Sequence, residues 1–146
     1  MMNKYLIGAL AVAAVAVAGW YGAQSLTADD PAPGRVAEGA PMVEVTVPAQ
    51  LSAQAKQGEG YFNVACASCH GADAAGQDGI APPLVHRIYE PSHHGDMAFV
   101  MAARAGVQAH HWPFGNMPPV EQNLTDGEIG AIIAYVRELQ RANGIF

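Results

Sequence analysis

Cysteine is almost missing from this chain: its 146 residues include only Cys66 and Cys69, three positions apart. A bridge closing so short a loop would stabilise little, so a disulfide framework is excluded. Nor do two cysteines by themselves make a structural zinc site, which normally takes four ligands. Basic side chains are also scarce, with seven Lys and Arg against thirteen Asp and Glu. They cannot assemble the clustered cationic face that nucleic-acid binding requires. Internal repeats are absent, and the length suits a single domain.

Charge is absent altogether between Lys4 and Asp29. Residues 1–24 therefore read as an export signal or a membrane anchor. A basic start, an Ala/Val run and the small-x-small triplet Ala16-Val17-Ala18 fit a cleaved signal peptide. Residues 5–23 also reach the roughly 20 apolar positions that cross a ~30 Å hydrocarbon core. Trp20 and Tyr21 would then lie at the far interface, with Lys4 on the cytoplasmic side. The anchor is the preferred reading and export followed by cleavage the alternative. Either places the rest of the chain in the periplasm of a bacterium, held at the inner membrane or soluble.

Residues 25–50 carry Pro31, Pro33, Pro41 and Pro48 among Ala, Asp, Glu and Thr. Such a segment predicts an extended, semi-rigid tether. Val43, Val45 and Val47 alternate with polar residues and suggest a short strand-like patch within it.

The third segment, residues 51–146, holds the chemistry. From Ser52, Gly58, Tyr61, Phe62 and Ala65 recur at three- and four-residue spacing, the pattern of a helix with one buried face. It leads into Cys66-Ala67-Ser68-Cys69-His70, a C-x-x-C-H signal for covalent haem c attachment. Two thiols at this spacing reach the two vinyl groups on one haem edge, and His70 presents Nε2 to the iron as proximal ligand.

With its neighbours, this motif makes residues 52–144 resemble a class I monohaem cytochrome c domain. The resemblance implies an all-α fold of short helices around one covalent haem. Gly58 and Phe62 correspond to the family's close crossing of first and last helices, with Ile132 and Tyr135 as partners. Ala81-Pro82-Pro83-Leu84 is similar to the family's Gly-Pro-x-Leu turn, with Ala in place of Gly. By that likeness the Pro82 carbonyl accepts the His70 Nδ1–H, a bond that fixes the ring, and Leu84 packs on the haem. Asn116-Met117-Pro118-Pro119 resembles the loop supplying the distal ligand, and Met/His ligation raises the reduction potential. Thr125 with Glu128 forms a capping box ahead of the final helix, and Gly144 is a stop signal.

Met117 has competitors. Met97 and Met101, four apart in a helix expected over 96–105, read as core packing. A histidine could take the distal position instead, or that position could be open. The pairs His93-His94 and His110-His111 are unusual. Adjacent side chains diverge, so a metal site would require both pairs to meet; the plainer expectation is solvated or loop-packing histidines. Trp112, whose indole N–H wants a buried acceptor, is a candidate donor to a haem propionate.

These features predict a one-electron carrier, not an enzyme, serving redox partner proteins of a respiratory or photosynthetic membrane and acting as a monomer. Two rival functions fit the same motif: a haem subunit of a larger oxidoreductase, or a haem enzyme or gas sensor with a displaceable distal ligand. Within residues 51–146, five basic side chains face nine acids. Such a domain is not strongly steered toward an acidic partner.

Overall fold

The computed structural model describes residues 39–146. The N-terminal apolar segment and the first part of the linker lie outside the described residues, so the choice between anchor and signal is not addressed by the fold. Among the described residues no helix is long and apolar enough to cross a membrane.

Among the described residues four α-helices follow in order: α1 (Ala53–Ala65), α2 (Ala67–His70), α3 (Asp96–Ala105) and α4 (Asp126–Ala142). Two 3-10 turns, Ala72–Ala74 and Arg87–Tyr89, lie between α2 and α3. Among the described residues, β pairing is confined to two isolated bridges, Gln77–Ala81 and Val107–Met117. The expected all-α architecture is therefore present.

The start of α1 and both ends of α4 have local causes. The Ser52 hydroxyl accepts the Ala55 N–H at the start of α1. At α4 the Thr125 hydroxyl takes the Glu128 N–H while the Glu128 carboxylate accepts the Thr125 N–H, a reciprocal box. The Thr125 N–H and the Thr125 hydroxyl both donate to Glu128 Oε2 and hold that carboxyl below its ordinary range. Gly144, with φ of +76°, ends α4, and Ile145 N–H returns to Gln140 O at 2.9 Å. This six-to-one bond with a buried apolar residue after the glycine is a Schellman closure.

The core forms where α1 crosses α4. Gly58 permits the crossing, because a Cβ there would stand 1.8 Å from Ala131 O. One turn on, the Phe62 and Tyr135 rings meet at 5.6 Å, tilted by 57°. Ala55, Val136 and Leu139 complete a cluster with no solvent exposure. Each large apolar side chain buried this fully contributes roughly 1.5–3 kcal/mol.

Two expectations require correction. Met97 and Met101 are not core residues: they are 68% and 56% exposed. The inward face of α3 belongs to Phe99, which packs on the core and lies 4.8 Å beneath the Arg137 guanidinium. Two methionines four apart share one face, and here that face is turned to solvent. Nor does the Val43–Val47 alternation make a strand. This end of the linker runs along the domain instead. Gly39 N–H reaches Asp78 O, Met42 N–H reaches Ala75 O, and Asn143 bonds the Thr46 backbone at both N–H and carbonyl. Backbone groups satisfied by loops and one side chain need no partner strand.

The Tyr135 hydroxyl donates to Asp73 Oδ1 at 2.9 Å, and Asp73 adopts a left-handed φ of +52°. Tyr135→Phe should cost roughly 1.5–3 kcal/mol, the range for a hydrogen bond to a charged group. Burial first, and then the Asp73 bond, push the Tyr135 pKa far up. The folded value lies above the unfolded one, so this stability is full below about pH 10 and falls as pH rises further. Denaturant titrations from neutral to alkaline pH should show the wild-type advantage over the phenylalanine variant shrinking at the alkaline end.

Candidate haem-binding site

The Cys66–His70 motif is the hinge between two helices. Cys66 caps both the end of α1 and the start of α2, and its carbonyl accepts the Cys69 and His70 N–H groups. Gln77 closes the far side: its Nε2 donates to Ser68 O at 2.8 Å and Cys69 O at 3.0 Å. Sequence reasoning misses Gln77. An amide seven residues beyond the motif carries no signal until the turn folds back.

That turn is made by Gly71 and Gly76, whose φ angles are +73° and +75°. A Cβ on Gly76 would lie 2.5 Å from Pro83 N, so glycine is what lets the Pro82-Pro83 segment come in. The result is the expected bond: His70 Nδ1–H donates to Pro82 O at 2.9 Å. His70 is buried, and burial lowers its pKa more than the Pro82 bond raises it. With Nδ1 committed to Pro82, Nε2 is the ring nitrogen left free to bind a metal.

Both thiols are free. Cys69 is exposed while Cys66 is half-buried, and burial together with the Cys69 charge pushes the Cys66 thiol up to about 11. Leu84 is half-buried against the core cluster, and its carbonyl accepts Gln140 Nε2 at 2.8 Å.

The second loop is closed at its base by reciprocal bonds between Val107 and Met117. Met117 is half-buried there, and Asn116 Oδ1 accepts the Ala109 N–H across the loop. The loop carries His110, His111, Trp112 and Phe114. Trp112 stacks on Phe114 at 5.9 Å and meets the His86 ring edge-on at 5.2 Å. Its Nε1 is buried with no hydrogen-bond acceptor. Buried donors are seldom left in that state.

The histidine pairs, expected to be solvated or loop-packing, also meet in space. The rings of His93 and His94 lie 5.2 Å from that of His111, and the ligand nitrogens of the three stand within 4.8 Å of one another. Desolvation and the neighbouring imidazoles lower the His111 pKa.

A buried guanidinium, also unforeseen, positions one of these histidines. Arg137 on α4 donates to Asp96 Oδ1, Tyr89 O, Gln140 Oε1 and His94 O, all between 2.6 and 2.8 Å. Its place four residues after Ile133 and three before Gln140 puts it on the buried face of α4, the only sign in the sequence.

The family model for cytochrome c matches residues 55–140, well over half of the chain. No curated protein matches it. The local chemistry fits a covalent haem c. The thiols are free, His70 offers Nε2 alone, and the orphaned indole N–H suits a propionate oxygen.

Proposed function

Because the chain belongs to the cytochrome c family, whose haem domains transfer electrons, we propose that it is a one-electron carrier with His70 and Met117 as axial ligands. The observation that carries this reading is the 2.9 Å bond from His70 Nδ1 to Pro82 O beside the two free thiols. When bound, the haem supplies one reversible iron redox step. The polypeptide has four tasks. Cys66 and Cys69 would hold the haem covalently through their thiols. Pro82 holds the His70 tautomer and ring plane, raising its basicity. Met117, fixed at a loop base and followed by Pro118 and Pro119, would offer a soft thioether that favours the reduced state. Trp112 would offer its indole N–H to a propionate.

With His70 and Met117 both holding the iron, no substrate would reach it. The activity is therefore electron transfer through the haem edge, serving partner proteins at a respiratory or photosynthetic membrane. Cytochrome c domains usually work outside the cytoplasm, which supports a periplasmic location with residues 1–24 serving as membrane anchor or as cleaved export signal.

Met117→Ala should abolish the sulfur-to-iron charge-transfer absorption, lower the reduction potential and let the reduced protein bind carbon monoxide rapidly. Visible spectra and a redox titration read all three. Retention of the sulfur band would place the ligand elsewhere. Rapid carbon monoxide binding by the unaltered protein would count against the carrier.

A further inference from the structure

We propose that His93, His94 and His111 form a second metal site, separate from the haem, for a late first-row divalent ion of the Zn(II) or Cu(II) type. These residues are the group of converging metal-ligating side chains among the described residues. His93 Nε2 and His111 Nε2 face each other at 3.3 Å. Two nitrogens bound at about 2.0–2.1 Å to one tetrahedral ion stand roughly 3.3–3.4 Å apart, so this edge of the site is already set. A single proton could join that one pair, whereas an ion satisfies all three nitrogens at once.

The tautomers are arranged for the same purpose. His94 Nδ1 bonds Ile88 O at 2.7 Å, and His110 Nδ1 bonds Gln108 O at 2.8 Å. A carbonyl on Nδ1 leaves the Nε2 lone pair free and orients the ring, the usual support for a metal-bound imidazole. His94 is further held through its own carbonyl by Arg137. His110 stacks on His94 at 5.9 Å and its ring lies 4.2 Å from that of His111, beside the three converging nitrogens. A neutral all-nitrogen donor set suits zinc, copper and nickel and is poor for magnesium or calcium.

The ligands come from two segments: the stretch preceding α3, and the loop whose base holds Met117. An ion here would clasp them together across 18 positions of sequence.

The test uses untagged, haem-loaded, oxidised protein, whose Cys66 and Cys69 thiols are consumed as thioethers and cannot compete. Calorimetric titration with Zn(II) should show one equivalent binding at micromolar affinity or tighter, with Mg(II) giving no heat of binding. Cu(II) should give a paramagnetic resonance spectrum with couplings to imidazole nitrogens. The double variant His93→Ala/His111→Ala, confined to exposed side chains, should weaken both by about 100-fold or more while leaving the haem spectrum unchanged. His86→Asn, which keeps an acceptor for the Ile88 N–H, should bind as the unaltered protein does. Absence of binding to the unaltered protein, or equal binding by the double variant, would overturn the site. Neither result would touch the haem ligation, which is read independently in the visible spectrum.

Discussion

Replacing Cys66 and Cys69 together by alanine should leave no haem attached after denaturing electrophoresis and should collapse the far half of the domain. The first effect is all or none, because the thioether bonds have no other source: the chain holds no further cysteine. The second follows from how burial is distributed. Fully buried side chains come from α1, from residues 70–85 and from α4. Between residues 86 and 128 no side chain is buried, although α3 lies in that span. A segment without a core of its own depends on what the rest of the domain presents to it. Loss of covalent haem should therefore melt residues 86–128 first and leave the α1–α4 crossing protected longer. Haem staining and backbone hydrogen exchange measure the two effects. Stain surviving in the double variant would sink the attachment reading.

Gly58→Ala should be among the most damaging single substitutions remote from the haem ligands. The added methyl would sit 1.8 Å from Ala131 O and 2.3 Å from its carbonyl carbon. Both are backbone atoms in the middle of α4, so no rotamer change relieves the clash and the helices must separate. Separation would open the contact between Phe62 and Tyr135 and loosen Ala55 and Leu139, all fully buried. Overpacking usually costs about 1–3 kcal/mol, and the lost contacts place this site at or beyond the upper end. Gly60, two residues on, has open space around its Cβ position. Gly60→Ala in the same helix should be neutral or mildly stabilising, at up to roughly 1 kcal/mol, from helix propensity. Chemical denaturation of both variants separates the crossing from any general effect of alanine in α1.

Much of the fold and the haem site is legible in the sequence, for reasons specific to each residue. The attachment motif, the Thr125–Glu128 box and the Gly144 stop of α4 are local signals, written within a few positions. The Gly58–Phe62 crossing and the Pro82 turn are long-range, yet the family resemblance carries their spacing, and both are present. Periodicity misplaces Met97 and Met101 because a four-residue spacing says that two side chains share a face without saying which way it looks. Phe99 takes the inner face because its ring can lie under Arg137 while also reaching the core. The histidine pairs escape for a related reason. Divergence within each pair is a local fact, whereas the approach of His111 to His93 depends on where two loops end up. Arg137 and Gln77 go unnoticed because a buried cation and a capping amide look, in sequence, like any surface polar residues.

Arg137 also links the two sides of the domain mechanically. Its bonds run from the middle of α4 to the carbonyls of Tyr89 and His94 and to the first residue of α3. Withdrawing α4 would strand a buried charge; shifting the 89–96 stretch would do the same from the other end. Opening of the 89–96 stretch therefore costs more than its shallow burial suggests, and an ion seated at His94 would raise that cost further.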